Sequence, residues 1–186
     1  VMEPHIINQE LGPFDATFHV PAFFEGFRTT ENGFHLLNGI PVHLSDFASD
    51  QTFPYSTSYL PDWLEEKSQG NISSKNVLQV SINNLNLAIN SKEGFEKLIA
   101  FLKCLSCNQS VVVDAKELVH LQVFGKAIKE LMKEKRFLFR SAASLINAFA
   151  DLPKNPNNSS SLASLRIKDT FSVAKGGLIM VGSHVP

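Results

Sequence analysis

The sequence predicts an α/β fold, a three-layer arrangement in which a mainly parallel sheet carries helices on both faces, with a small β excursion near residues 33–44. Three observations carry this expectation. From Val77 onward, short β-branched or aromatic runs alternate with helical patterns of roughly 10–20 residues, as right-handed crossovers between parallel strands require. An early apolar run at residues 15–21 supplies one more strand ahead of that region. The 186 residues are 44% hydrophobic and 19% charged, enough for one core that hides roughly 70% of the unfolded surface.

Residues 2–10 read as the end of a helix, followed by the strand Asp15-Ala-Thr-Phe-His-Val-Pro21. The excursion consists of Gly33-Phe-His-Leu-Leu and Gly39-Ile-Pro-Val-His-Leu, with Asn38-Gly39 as the hairpin turn. After an irregular polar and aromatic stretch at 45–57, residues 59–69 read as a short helix with Trp63 and Leu64 inward and Glu65, Glu66 and Lys67 outward. The regular part then runs strand 77–82, helix 92–105, strand 110–114, helix 116–135, strand 137–139 and helix 142–150. Residues 151–164, rich in Pro, Asn and Ser, read as a flexible connection, and Lys175-Gly-Gly leads into a last strand at 178–181.

A net charge of −1 leaves no positive excess to attract a nucleic-acid backbone or an anionic membrane. No apolar stretch reaches the roughly 20 residues needed to cross a bilayer, so a cytoplasmic location is expected. The opening Val1-Met2-Glu3 and the stop just past an apolar run suggest that both ends are cut from something longer. Cys104 and Cys107 are too few for a disulfide framework, and their C-x-x-C spacing falls at the close of a helix rather than its start, where a redox thiolate would be stabilised. With His120 they approach zinc-finger spacing, but residues 124–126 are Phe, Gly and Lys and no second histidine completes the set. Both read as ordinary helix-end residues.

The functional signal lies in Pro21-Ala-Phe-Phe-Glu-Gly-Phe-Arg-Thr-Thr30, directly after the first strand. Arg28 offers a planar fork of donors to a carboxylate, Glu25 can accept from ligand hydroxyls, and Gly26 allows close backbone approach. The combination suits a small hydroxylated anion, and ligands of open α/β sheets sit at the carboxyl ends of strands. The alternative is a surface turn with an Arg–Glu pair. A second candidate is Phe139-Arg-Ser-Ala-Ala-Ser144, where Arg140 ends a strand and Ser141 can cap the next helix. Ser183, in Gly182-Ser-His184, could hold a phosphate or ribose, and Asp114 a hydroxyl or metal. No phosphate loop, dinucleotide fingerprint or serine-hydrolase elbow is present, and the six histidines show no metal-ligand spacing. His19 reads as a core histidine with one satisfied nitrogen.

Taken in order, PAFFEGFRTT, the long helix running into KRFLFRSAAS, and GGLIMVGSHVP resemble the N-terminal domain of the four-carbon acid sugar kinase family across nearly the whole chain. The resemblance implies that residues 1–186 are the sugar-acid-binding domain of a two-domain kinase, truncated at both ends, whose missing C-terminal domain supplies most of the nucleotide site. It implies ATP and Mg2+ as cofactors and phosphorylation of the 4-hydroxyl of threonate, erythronate or a 3-dehydro relative. It also implies substrate contacts from Glu25, Gly26, Phe27 and Arg28, and an ATP contact from Ser183. Phe24 stands where the family has proline and Phe27 where it has a small residue. The family's Asp-Asp-x-Thr-Gly, Ser-Asp-Ser-Thr-Leu-Arg-Gly-His and glycine-rich nucleotide segments are not in this sequence, so the chain alone is expected to be inactive. The seam for the missing domain should be apolar, and a second copy covering it would give a homodimer. The competing expectation is a non-catalytic small-anion-binding or interaction module, since members of the family have been labelled type III effectors.

Overall fold

The computed structural model describes residues 2–49 and 54–150. Four parallel strands form the main sheet, in the order β5 (Leu78–Val80), β6 (Gln109–Val113), β1 (Ala16–Val20), β7 (Phe137–Ser141). A second, antiparallel sheet joins β2 (Arg28–Glu31), β3 (Phe34–Leu37) and β4 (Ile40–Pro41).

Strand alternation divides the main sheet into two faces. On one, Phe18, Val20, Val80, Val111 and Val113 meet the apolar sides of α3 (Ile82–Asn90), α4 (Lys92–Cys104), α5 (Leu118–Leu131) and α6 (Ala143–Ala150) in a continuous core. Phe18 is its centre, edge-on to Phe124 and Phe137 and stacked on Phe139. On the other face, Val112 packs beneath Leu60 and Leu64 of α2 (Leu60–Lys67). This is the face on which His19 of β1 stands opposite Arg140 of β7. Helix α1 (Met2–Leu11) precedes β1.

The expected three-layer α/β plan is the observed one, with three revisions. Residues 82–90 are helical: Ser81 caps α3, its Oγ accepting from the Asn84 N–H while the Asn84 side chain accepts from the Ser81 N–H. The polar segment Arg28–Glu31 is itself a strand, turned into β3 by Asn32-Gly33 with φ of 52° and 78°. Asn38-Gly39 has the same pair of angles and makes the expected hairpin turn. Ser141 does not cap α6: it ends β7, and the Ala142 N–H after it binds the Val20 carbonyl at 3.1 Å. The 151–164 connection and the strand at 178–181 lie outside the described residues.

The small sheet is fastened over the carboxyl ends of the main strands. Thr30 and Ala115 exchange two backbone hydrogen bonds at 2.9 Å. Asp114, buried after β6, accepts from the Gly33 N–H at 3.0 Å and from Gln79 Nε2 at 2.8 Å. Its carboxylate therefore anchors a turn. Burial raises its pKa against the lowering effect of those hydrogen bonds.

Candidate functional site

The connection from β1 to β2 brings Arg28 to the carboxyl end of the sheet. Phe23 and Arg28 exchange backbone hydrogen bonds at 2.9 Å, and the residues between them close a tight turn, Phe24–Gly26 plus Phe27 at φ 56°. The Arg28 guanidinium lies 4.4 Å over the ring of Phe47. From the other sheet, the Arg140 guanidinium lies 5.0 Å over the ring of Trp63. A position over an aromatic face holds each guanidinium by cation–π attraction and leaves its N–H edge open to a ligand.

Both arginines line one cavity of about 180 Å3, together with His19, His35, Ser58 and Trp63. Arg28, Arg140, Pro21 and His35 also line an adjoining open cavity of about 420 Å3 bounded by α1. Glu3 of that cavity feels the Arg140 charge, the smallest of several effects that lower its pKa, hydrogen bonding to its own backbone being the largest. Among the described residues no carboxylate forms a salt bridge with either arginine.

Two buried histidines complete the lining. His35 pairs with Thr30 through Nδ1 and Oγ1 at 3.3 Å; burial, then the Arg28 charge, lowers its pKa to about 4. His19 is 4% exposed, and burial, then the Arg140 charge, lowers it to about 3. It is a core histidine, as expected, but neither ring nitrogen has a hydrogen-bond partner. The site is thus two cations flanked by two neutral imidazoles. A separate cavity of about 300 Å3 between α3 and α4 has Lys97 as its charged group, and Lys97 is paired with Glu93 at 2.7 Å.

The other residues singled out in the sequence fall elsewhere. Glu25, Gly26 and Phe27 are not in the lining of the arginine cavity. Glu25 accepts from Ser144 Oγ at 3.1 Å, a serine that is 1% exposed. Gly26 is needed for packing, because a Cβ there would come within 2.6 Å of the Phe23 ring. Phe27 is 67% exposed. Ser183 lies outside the described residues. Cys104 and Cys107 are free and exposed. His120 is committed to the start of α5, where Nδ1 accepts from Glu117 N at 3.1 Å and Nε2 meets Asn86 Oδ1 at 3.1 Å.

The family model described as the sugar-binding N-terminal domain matches residues 2–149. The chain belongs to this family. The expected kinship with sugar-acid-binding N-terminal domains is thereby met at the level of the domain. Solved structures agree on the fold of this sugar-binding domain. A Haemophilus influenzae protein of the DUF1537 family aligns with a TM-score of 0.55 and 17% identity over 80% of this chain and 32% of its own. A DUF1537 domain of unknown function from Bordetella bronchiseptica, a domain-swapped dimer with bound citrate, aligns with a TM-score of 0.54 and 23% identity over 73% of this chain and 29% of its own. The sugar-binding domain therefore spans about a third of the length of the structures it resembles. No curated protein matches the sequence. Among the described residues no helix is long and apolar enough to cross a membrane.

Proposed function

We propose that this sugar-binding domain holds a four-carbon sugar acid in the cavity between Arg28 and Arg140, both guanidiniums serving its carboxylate. The observation that carries this reading is the convergence of two arginines, from different sheets, on one small cavity, neither of them in a salt bridge with a described carboxylate. A volume of about 180 Å3 is below the roughly 300–1,000 Å3 of drug-sized pockets, which favours a small occupant. The citrate bound by the Bordetella neighbour is likewise a small hydroxylated carboxylate.

In this reading the whole protein is an ATP-dependent kinase that phosphorylates the 4-hydroxyl of threonate, erythronate or 3-dehydrotetronate. The chain described here is its substrate-binding part, and a C-terminal domain supplies the nucleotide site. Glu25 and Gly26 act on the substrate by shaping the turn that delivers Arg28. In this reading ATP and Mg2+ are held chiefly by that C-terminal domain, with Ser183, which lies outside the described residues, reaching ATP from this chain.

Calorimetric titration with D-threonate and D-erythronate tests the reading. Binding should be seen with at least one of them. Arg28→Ala and Arg140→Ala should each weaken it by about 1.5–3 kcal/mol, the range for a lost charge-assisted hydrogen bond. Arg28→Lys should rescue little, because a point charge does not reproduce a planar fork. Unchanged affinity in both alanine variants would remove the site.

A further inference from the structure

Among the described residues, His19 is the buried lining group whose two ring nitrogens both lack a hydrogen-bond partner. Its register position places it next to Arg140 on the neighbouring strand, and both side chains line the arginine cavity. Native proteins rarely leave such atoms unpaired, and among the described residues neither ring nitrogen of His19 meets a partner, so both are open to a group held in the cavity. The chemistry of that partner is constrained. A neutral imidazole has one N–H donor and one lone-pair acceptor. The donor could be met by any oxygen. The acceptor needs an O–H or N–H, and an ionised carboxylate has none. A ligand hydroxyl suits either ring nitrogen, because it can donate to the one that carries the lone pair or accept from the one that carries the proton. His19 and Arg140 line the same cavity from neighbouring strands, so with a carboxylate on Arg140 the ligand hydroxyl next to that carboxylate, on the adjacent carbon, is the one assigned to His19.

We propose that His19 is a specificity-determining residue that pairs with the 2-hydroxyl of the bound acid, so that the pocket selects 2-hydroxy acids over their 2-deoxy counterparts. This rests on the reading of the cavity as a sugar-acid site. A hydrogen-bonding group buried in the lining rejects a ligand that leaves it unpaired more strongly than an apolar wall rejects a missing methylene. The two arginines supply attraction for any small acid, whereas His19 supplies the choice among them.

The test compares ligands of equal charge on the full chain. Calorimetry with D-threonate, D-erythronate and 3,4-dihydroxybutanoate should show at least one of the trihydroxy acids binding the wild type ~10-fold or more tighter than the 2-deoxy acid. His19→Phe should bring that ratio close to one. A second measurement needs no variant: the ring 15N resonances of His19 in the wild type should move on adding the trihydroxy acid and stay nearly still with the 2-deoxy acid. Equal wild-type affinity for the two classes, a ratio retained in His19→Phe, or an unresponsive His19 ring overturns the inference and leaves the arginine site standing. Failure of every acid to bind the wild type overturns the site and the inference with it.

Discussion

Ser144 and Glu25 are bonded across 119 residues of sequence: the serine Oγ donates to the Glu25 carboxylate at 3.1 Å and accepts the Phe24 N–H at 3.1 Å. One hydroxyl thus ties the turn after β1 to the first turn of α6. Arg28 follows that turn and Arg140 precedes that helix, so this link fixes the spacing of the two cations that share the cavity.

Removing the link should loosen the site without touching either arginine. Ser144→Ala leaves the Phe24 N–H without its acceptor in a part-buried setting, at a cost of about 1 kcal/mol in urea unfolding. Sugar-acid affinity should fall as well. Unaltered stability together with unaltered binding would show that the turn is held by other means.

The sheet and the arginines were legible in the sequence, and the reason is local. From Lys92 to Ala150 helix and strand alternate with little ambiguity, and a guanidinium close after an apolar strand is a visible signal. The missed parts lacked such signals. Arg28-Thr-Thr-Glu31 has no apolar alternation and is a strand because β3 pairs with it. Residues 82–90 hide a helix behind asparagines, and the available signal was Ser81 followed three residues on by a side chain able to close a capping box. Ser144 and His19 take their roles from contacts between segments far apart in the chain, which no local pattern encodes. The turn residues Glu25 and Gly26 were singled out for ligand chemistry, while the structure gives them bonding and packing duties beside the cavity.

Gly33 should resist substitution. Its φ of 78° favours glycine, and an alanine Cβ would sit 2.8 Å from the Tyr59 ring. Gly33→Ala should therefore lower stability by about 1–3 kcal/mol. Thermal unfolding checks this, and an unshifted midpoint would show that the turn relaxes freely.

Asp114→Asn probes the anchor below that turn. Because the folded-state pKa of Asp114 is raised, its contribution to stability is full below the unfolded carboxylate pKa and declines as pH rises through the folded value. Asparagine keeps an oxygen for the Gly33 N–H, and the Gln79 amide can turn to present its carbonyl. The variant should lose this decline and approach or exceed wild-type stability at pH 7, whereas Asp114→Ala should be clearly destabilised. Matching pH profiles of the asparagine variant and the wild type would refute the assignment.

The two cavity histidines give the opposite slope. Their folded pKa values, about 3 for His19 and about 4 for His35, lie below the unfolded value of about 6.5. A lowered folded pKa means stability that is complete above about pH 6.5 and is lost as pH falls toward the folded value, because the unfolded chain takes up the proton first. Between pH 7 and pH 5 each histidine should remove about 2 kcal/mol, at ~1.4 kcal/mol per unit below its unfolded pKa. Asp114, whose folded pKa is raised, acts in the other direction wherever it titrates, so the wild-type curve is a sum. The difference between wild type and His19→Phe isolates one member: the loss on acidification should be smaller in the variant by about 2 kcal/mol, measured as urea unfolding free energies at the two pH values. If the two proteins lose the same amount, His19 is not held neutral by burial, and the hydrogen-bonding role proposed for it loses its physical basis.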